Sequence, residues 1–335
     1  MTDKSKLSTE SYKGVRDFYP EDMLVQNYIF GIWRKTVESS GYVEYSASLL
    51  EPAELYKSKT SEEIVNEQTF AFTDRGGRDV VLRPEMTPTV ARMVASRRKS
   101  LKFPLRWFSI PNLFRYEKPQ KGRLREHWQL NVDLFNKDTS EADVEIITVA
   151  HKIMRNFGAK DEDFVIHLNS RKLMNDLYAH FGLSDDQSQK VARIIDKKNK
   201  ISSEVFAQSL EEVAPGVATD IVSALSSNER LLDTLGKENK NAKELVDLIE
   251  KLAGASITNV VFDPTMVRGF DYYTGMVFEV FDTSPENNRS LFGGGRYDNL
   301  LEMFGVEPMP TVGFGMGDVT IRDFLETHNL PLGRA

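Results

Sequence analysis

The chain has 335 residues, a formal net charge of −7 and no cysteine. The lack of cysteine excludes disulfides, thiolate metal sites and cysteine nucleophiles, and it fits a reducing, cytoplasmic location. The N-terminus is polar and no apolar run approaches the roughly 20 residues that cross a membrane, so neither a signal peptide nor a membrane partner is expected.

The first predicted element is a long amphipathic helix over residues 21–39. Pro20 suits the first helical position, the two acids after it suit the positive helix N-terminus, and Gly41 stops the helix. Apolar residues recur between these ends at helical spacing, which indicates a face buried in the core or in a dimer interface. A single strand over residues 42–52 is predicted to follow.

The next stretch predicts a β-hairpin followed by a helix. Residues 70–83 form two strand-like runs around a Gly-Gly turn, and a helix begins at Thr87. Arg83 and Glu85 stand where the strand ends and the helix begins, a position at which functional polar groups are common. Glu85 has an alternative role, as an acid that only stabilises the helix start.

Residues 113–135 predict two strands joined by a basic loop that contains glycine. The window 97–125 holds ten Lys or Arg residues and a single acid, Glu117, in a chain of net negative charge. A basic segment on an acidic protein indicates a local polyanion site. The alternative is a solvated hairpin tip, and the charge count by itself favours neither.

The middle of the chain is predicted to be mainly helical. A sequence similar to a capping box, starting at Ser140, predicts a helix to about Asn156, and residues 164–169 predict a strand. After that strand aromatic residues become rare, Lys and Glu dominate, and apolar residues recur at helical spacing. We therefore divide the chain into residues 1–169, an all-helical insertion at 170–254, and residues 255–335.

Glycines mark the last part of the chain. Gly293–Gly295 let another backbone or a ligand approach closely. Arg296 and Tyr297 are then predicted to open a helix that ends near Gly305. In the later segment VGFGMG three glycines alternate along a strand, which leaves one face without side chains for a flat ligand or a packed helix.

Five segments match motifs of one family in the family's order: LRPEMT, FRYEKPQKGRLREHWQLNVD, VRGFDYYTG, GGGRYDNL and VGFGMG. From about Lys13 to Leu325 the chain resembles the catalytic core of the histidyl-tRNA synthetase family, within the class II aminoacyl-tRNA synthetases. The resemblance implies an α+β fold, in which a mainly antiparallel sheet is flanked by helices and carries an all-helical insertion. The helix at 21–39 and the strand after it resemble motif 1, which forms the homodimer interface in this class.

The resemblance implies a histidine–tRNA ligase. Such an enzyme activates L-histidine with ATP to histidyl-adenylate and pyrophosphate, and then transfers histidine to the 3′ end of tRNA(His). Arg115 and Arg268 would be the catalytic residues, because an arginine fork grips phosphate and carboxylate oxygens with two bonds. Mg²⁺ would bridge phosphate oxygens of ATP. No side chain is assigned to a metal, since no two of the five histidines are spaced like a metal-binding pair.

The binding residues of the family are carried over onto the matching positions of this sequence. The implied histidine-binding residues are Glu85, Met86, Thr87, Arg115, Gln129, Asp133, Arg268, Tyr272, Tyr273 and Tyr297. The implied ATP-binding residues are Arg115, Glu117, Arg123, His127 and Arg268. The basic loop would face the acceptor end of the tRNA through Lys118, Lys121 and Arg125.

Three positions depart from the family pattern. Asp133 stands where glutamate is usual, and His127 stands where a phenylalanine that stacks on adenine is usual. Thr320 stands where motif 3 places an arginine, so the usual contact with adenine and the γ-phosphate lacks its residue. Arg322 lies two residues further on.

Only ten residues, ETHNLPLGRA, follow motif 3, whereas the family carries a C-terminal domain that reads the anticodon. We expect either a catalytic core separated from that domain or a protein that lacks it. The short C-terminus also fits a non-catalytic paralogue that regulates ATP phosphoribosyltransferase in histidine biosynthesis, although the intact arginines of motif 2 argue against it. A third alternative, supported only by Thr320, is a tRNA-binding or structural module on an inactive synthetase core.

Overall fold

A computed structural model describes residues 7–57, 68–120, 122–198, 201–236, 238–266, 272–287 and 289–333. Two residues of the predicted site, Lys121 and Arg268, lie outside these ranges. No helix within the ranges is long and apolar enough to cross a membrane.

The helices in chain order are α1 (Pro20–Ser39), α2 (Glu54–Lys57), α3 (Thr87–Arg97), α4 (Ser140–Asn156), α5 (Arg171–His180), α6 (Asp185–Ile195), α7 (Ser203–Val213), α8 (Ala218–Ala224), α9 (Asn228–Leu235), α10 (Lys240–Gly254) and α11 (Asp318–Thr327). The strands are β1 (Val43–Glu44), β2 (Leu50–Pro52), β3 (Phe70–Thr73), β4 (Asp79–Leu82), β5 (Leu105–Ser109), β6 (Asn112–Phe114), β7 (Glu126–Phe135), β8 (Phe164–Ser170), β9 (Val260–Phe262), β10 (Met276–Asp282), β11 (Ser290–Arg296) and β12 (Thr311–Gly317). Short 3₁₀ helices lie at Pro285–Asn287 and Leu300–Phe304.

Helix α1 begins and ends close to the predicted positions. Pro20 is its first residue, two acids in its first turn complement the helix dipole, and Gly41 adopts a φ of 85° just beyond its end. Ile29 and Trp33 are fully buried, and the indole Nε1 of Trp33 lies 3.0 Å from the sulfur of Met316 in β12. Burial of each such side chain stabilises the fold by about 2 kcal/mol. The helix is therefore fixed against the central sheet.

Within the described residues, nine strands form the larger sheet. Eight of them follow the order β1-β5-β7-β12-β11-β10-β8-β9, and β6 pairs with the beginning of β7. Neighbours from β5 to β8 are antiparallel, whereas the outer pairs β1·β5 and β8·β9 are parallel. A smaller sheet joins β2, β4 and β3. The predicted α+β fold with a mainly antiparallel sheet is confirmed.

The single strand predicted over residues 42–52 is wrong. Strand β1 pairs with β5 in the larger sheet, whereas β2 pairs with β4 in the smaller one. Arg83 holds the segment between them, because its Nη1 donates to the carbonyls of Ala47 and Ser48 at 2.8 and 3.1 Å. A contact 36 residues away along the chain decides where the segment changes sheets, and strand periodicity does not reveal it.

The helical insertion is confirmed as helical. The described part of residues 171–254 contains helices α5 to α10 and no strand. Side chains at the N-caps accept backbone hydrogen bonds at the starts of five of these helices, from Ser170, Ser184, Ser202, Ser227 and Asn239. The apolar faces of the helices share one hydrophobic cluster with the sheet. The division of the chain at residues 170 and 254 stays a prediction.

Arg296 ends strand β11 and does not open a helix. The helix predicted to start at Arg296 and Tyr297 is wrong, because the 3₁₀ helix begins only at Leu300. The buried guanidinium of Arg296 donates to Asp143 Oδ1 from Nη2 at 2.7 Å and from Nε at 3.1 Å. The sequence similar to a capping box at Ser140 does not cap α4, because the N-cap position belongs to Thr139 and no side chain caps it. The Asp143 carboxylate binds Arg296 instead.

Replacing Asp143 with alanine is expected to lower the free energy of unfolding by about 3 kcal/mol, because the buried Arg296 guanidinium loses its main partner. Urea unfolding measures the change. Asp186→Ala is the control, since Asp186 pairs with Lys190 on the surface at 2.6 Å, where ion pairs contribute little. Equal destabilisation by both variants would contradict the prediction.

Candidate active site

The loop before α3 carries Glu85 into the interior. Glu85 is 3% exposed, and its Oε2 accepts a hydrogen bond from the hydroxyl of Tyr272 at 3.1 Å. Thr87, the first residue of α3, also hydrogen-bonds Tyr272. The N-cap position belongs to Met86, whose side chain is buried. Glu85 is therefore oriented by its tyrosine partner, which argues against a role as a simple helix-start acid.

Three tyrosines form a buried polar cluster with Glu85, and this cluster is the candidate binding pocket. The ring centroid of Tyr272 lies 5.0 Å from that of Tyr273 and 5.7 Å from that of Tyr297. All three side chains are at least nine-tenths buried. Burial, and after it the negative charge of Glu85, holds the pKa of Tyr272 well above its usual value, so its hydroxyl stays protonated and can donate. The structure thus brings together three tyrosines that two separate motifs supplied.

Strand β7 carries Asp133 into the same pocket. The carboxylate is 4% exposed, and its Oδ1 accepts a hydrogen bond from the hydroxyl of Tyr297. Its Oδ2 is buried and has no hydrogen-bond partner among the described residues. Burial raises the pKa of Asp133 to about 7, although the bond from Tyr297 opposes the rise. A buried acceptor of this kind marks a place where a ligand N–H can bind.

Strand β12 lies beside β7 and has no side chains where the pocket needs room. A Cβ on Gly313 would lie 2.6 Å from Asp133 Oδ1 and 3.1 Å from the Tyr297 hydroxyl oxygen. A Cβ on Gly315 would lie 2.8 Å from the amide carbon of Gln129. The predicted strand with one bare face is therefore confirmed, and polar side chains of the neighbouring strand lie over that face.

Arg115 joins this pocket to the basic hairpin. Its Nε donates to the carbonyl of Pro84 at 2.9 Å, one residue before Glu85. Its Nη1 lies 4.0 Å from Oε1 of Glu117, and 20% of its side chain is exposed. The loop before α3 and the hairpin therefore fix one guanidinium at the edge of the pocket.

His127 lies on β7 six residues before Asp133 and is half-buried. Burial lowers the pKa of His127 to about 3, and the positive charges of Arg115 and Arg16 act in the same direction. The imidazole is therefore neutral at physiological pH. A neutral aromatic ring can stack on a flat ligand without repelling the cations beside it.

The basic residues at the tip of the hairpin differ in whether they pack against the protein or extend into solvent. Arg125 is a structural cation, because its guanidinium stacks over the ring of Tyr116 at 4.1 Å and its Nε donates to the carbonyl of Glu117 at 3.1 Å. Arg123 lies 3.5 Å from the Glu117 carboxylate, with 65% of its side chain exposed. Lys118 is exposed. Of the predicted tRNA contacts within the described ranges, Lys118 is thus the one that extends toward solvent.

Thr320 and Arg322, which follow β12, are both engaged in contacts outside the candidate pocket. The hydroxyl of Thr320 donates to the carbonyl of Leu291 at 2.7 Å. Arg322 donates to Glu326 from Nε at 3.0 Å, and its Nη1 lies 3.5 Å from Oδ1 of Asp22. These contacts tie α11 to α1 and pair the Arg322 guanidinium with two acids.

Sequence reasoning missed the buried Asp318 and the residues that it joins. Its Oδ2 accepts hydrogen bonds from Arg16 at 2.7 Å and from Gln26 at 3.1 Å, and its Oδ1 accepts the backbone N–H of Trp128 at 2.9 Å. These partners lie 190 to 302 residues away along the chain. The only local signal was an acid directly after the glycine-rich strand.

The family model described as histidyl-tRNA synthetase matches residues 14–319 of this chain. A histidine–tRNA ligase of Leptospira biflexa is 46% identical over 333 residues, which cover 98% of this chain and 76% of that ligase.

Solved structures share the fold. A Bacillus halodurans protein described as an ATP phosphoribosyltransferase regulatory subunit/histidyl-tRNA synthetase superposes with a TM-score of 0.81 at 27% identity, covering 95% of this chain and 83% of that one. The histidyl-tRNA synthetase of Nostoc sp. PCC 7120 superposes with a TM-score of 0.82 at 22% identity, covering 98% and 78%. Together with the family model and the Leptospira relative, these matches show that the chain belongs to the histidyl-tRNA synthetase family of class II aminoacyl-tRNA synthetases.

Proposed function

We propose that this chain is an ATP-dependent histidine–tRNA ligase. The proposal is carried by one observation: two buried carboxylates, Glu85 and Asp133, each bind a tyrosine of one cluster, and Arg115 binds the carbonyl of the residue before Glu85. The pocket suits a small polar amino acid. The arginine at its edge suits the point at which that amino acid's carboxylate meets a phosphate.

The reaction needs no protein nucleophile. The histidine carboxylate attacks the α-phosphorus of ATP and pyrophosphate leaves; the 3′-terminal ribose hydroxyl of tRNA(His) then attacks the carbonyl of the adenylate and AMP leaves. Arg115 is assigned to the α-phosphate and the carboxylate. Arg268, outside the described residues, is assigned to the other side of the α-phosphate. Positioning and neutralisation of charge then supply the catalysis.

Histidine would be recognised by the polar groups of the buried cluster. Glu85, Met86, Thr87, Gln129 and Asp133 are assigned to the amino group and its surroundings, and Tyr272, Tyr273 and Tyr297 to the imidazole. The unpartnered Oδ2 of Asp133 supports this assignment, because a ligand that leaves it without a donor would bind poorly. Sites of this kind discriminate strongly against analogues that lack the hydrogen-bonding group.

ATP would lie along the basic hairpin. His127 is assigned to stacking on the adenine, and its neutral imidazole supports this role. Glu117 and Arg123 are assigned to the rest of the nucleotide. No three His, Asp or Glu side chains within the described ranges meet as metal ligands. By resemblance to the family, Mg²⁺ is assigned to the phosphate oxygens of the substrate, whose charge it would neutralise.

Histidine-dependent exchange of pyrophosphate into ATP tests the proposal. We expect the purified chain to catalyse exchange that stops when histidine is omitted. A regulatory paralogue would bind histidine without exchange, and this alternative arises because the Bacillus halodurans relative carries both descriptions. Histidine binding by calorimetry with no detectable exchange would reject the ligase and favour the regulator.

Neutralising the hairpin tip is expected to weaken transfer to tRNA more than adenylate formation. Lys118→Ala combined with Lys121→Ala should raise the KM for tRNA(His) about tenfold, because each lost phosphate contact weakens binding. Pyrophosphate exchange should stay near the wild-type rate, since Lys118 is exposed away from the pocket. Arg125 is left intact because it fixes the tip on Tyr116. Equal losses in both assays would contradict the division.

We also propose a cytoplasmic homodimer that forms through α1 and β1. Leu24 on α1 is 54% exposed and Val43 on β1 is 65% exposed, so both could pack against a second copy. Light scattering after gel filtration gives the mass of the assembly. A monomer at micromolar concentration would reject this part of the proposal.

A further inference from the structure

The segment before α1 places an arginine close to the start of β7. Arg16 precedes α1, and its Nη2 donates to Oδ2 of Asp318 at 2.7 Å. The same carboxylate accepts the backbone N–H of Trp128, the residue after His127. Asp318 thus links Arg16 to the residue next to His127, whose imidazole is assigned to adenine.

Several contacts hold the Arg16 side chain in place. Asp318 is 1% exposed and accepts three hydrogen bonds, of which the third comes from Gln26 on α1. The guanidinium also lies over the ring of Phe18, at 4.9 Å from the centroid, and Phe18 packs edge-on against Trp128 at 5.2 Å. Neither ring nor carboxylate leaves the cation free to move far, so its position is determined before a ligand arrives.

The arginine is only partly satisfied. Its Nε is buried and has no hydrogen-bond partner among the described residues. A guanidinium has five N–H donors, and the single carboxylate beside it is shared with two other donors. One-fifth of the side chain, 21%, remains exposed. An anion that reaches the exposed part of this side chain could accept a charge-assisted hydrogen bond from the guanidinium.

The two candidates nearer to β12 are already engaged. Thr320 has no positive charge and donates to a backbone carbonyl. Arg322 lies between two acids, Asp22 and Glu326. Of the three residues, Arg16 alone combines a positive charge, an unpartnered donor and a place beside the His127–Trp128 segment.

We infer that Arg16 binds the phosphate tail of ATP and so supplies the cation that Thr320 does not. The inference rests on the proposed function, because it assumes that His127 faces the nucleotide. A phosphate oxygen would accept from the guanidinium and complete its hydrogen bonding. The low pKa of His127 agrees with this placement, since Arg16 and Arg115 both contribute to it. The assignment predicts a role in ATP binding and none in histidine binding.

The test uses Arg16→Lys and Arg16→Gln in the full chain, with Arg322→Gln as the matched control. Arg322 also ties an N-terminal acid to α11, so its loss removes one positive charge and one tether without touching the nucleotide. Arg16→Lys keeps a charge for Asp318, which guards against misfolding. Equilibrium binding of ATP and of adenosine, calorimetric histidine binding, and the KM for ATP in pyrophosphate exchange are measured for each protein.

We expect Arg16→Gln to weaken ATP binding about tenfold or more and Arg16→Lys to weaken it less, with adenosine and histidine affinities close to wild type. The control should match wild type throughout. Unchanged ATP affinity in both Arg16 variants would overturn the inference, as would equal weakening of ATP and adenosine, or failure of the wild type to bind ATP. If the wild type binds ATP without exchange, the proposed ligase fails and the binding data still judge Arg16.

Discussion

Replacing Arg115 with alanine is expected to reduce histidine-dependent pyrophosphate exchange by a factor of about 10² to 10³. A fixed group aimed at the charge that develops during the reaction contributes about this much. Arg115 is fixed because its Nε donates to the carbonyl of Pro84 at 2.9 Å. The loss should appear mainly in kcat, with a smaller change in the KM for histidine, since the pocket carboxylates remain.

Two further variants make this result specific to the guanidinium. Arg115→Lys keeps a positive charge but loses the two-pronged contact, so it should recover only part of the rate. Arg78→Ala is the control, because Arg78 pairs with Asp74 on an exposed hairpin and 79% of its side chain is open to solvent. Exchange by Arg115→Ala at the wild-type rate would show that the residue does not reach the reacting phosphate.

Histidine affinity is expected to rise with pH up to about 7 because of Asp133. Burial raises the pKa of this carboxyl to about 7, so it is protonated below that pH and ionised above it. Only the ionised oxygen accepts a strong hydrogen bond from a ligand N–H. Asp133→Asn should therefore weaken binding about 10-fold to 100-fold above pH 7, the range for a lost bond to a charged group. Calorimetry from pH 5.5 to 8.5 measures the dependence.

The Asp133→Asn variant also distinguishes the titration of Asp133 from the titration of the histidine substrate. Free histidine carries an imidazole that titrates near pH 6.5 in both experiments, so the ratio of the two dissociation constants isolates the protein carboxyl. That ratio should grow as pH rises through about 7 and then level off. A ratio that does not change with pH would contradict the assignment.

The same pKa has a consequence for stability without ligand. The folded state holds the Asp133 proton up to pH of about 7, whereas the unfolded chain releases it near 3.9. Asp133 therefore stabilises the fold fully below about pH 4, and this contribution is lost as pH rises toward 7. Its full size is roughly 4 kcal/mol. Urea unfolding of wild type and Asp133→Asn at both ends of this window gives the difference.

Local sequence signals predicted the elements that local interactions decide. The start of α1 at Pro20, the Gly-Gly hairpin and the helices of the insertion follow from caps, turns and periodicity. The errors arose where a distant partner decides the conformation. Asp143 reads as part of a cap and Arg296 as the start of a helix, yet they bind each other across 153 residues.

Some residues of the candidate site could likewise be predicted from the sequence, and others could not. Motif resemblance supplied Glu85, Asp133 and the tyrosines, and the structure brings those that it describes into one pocket. The contact between Arg16 and Asp318 had no signal beyond the acid that follows the glycine-rich strand, because it joins residues 302 positions apart. The periodicity of a sequence does not show which residues from opposite ends of the chain form a buried ion pair.

In the proposed function, strand β7 sets the distance between the groups that bind the adenine and the histidine. His127, Gln129 and Asp133 are separated by even numbers of residues, so the pleat places them on one face. At about 3.4 Å per residue, the six steps from His127 to Asp133 set a span of about 20 Å. Replacing one of these three side chains changes a single proposed contact with a substrate. Deleting a single residue between His127 and Asp133 would shift the strand register and turn one of these side chains to the opposite face of the sheet. It would also shorten the distance between them.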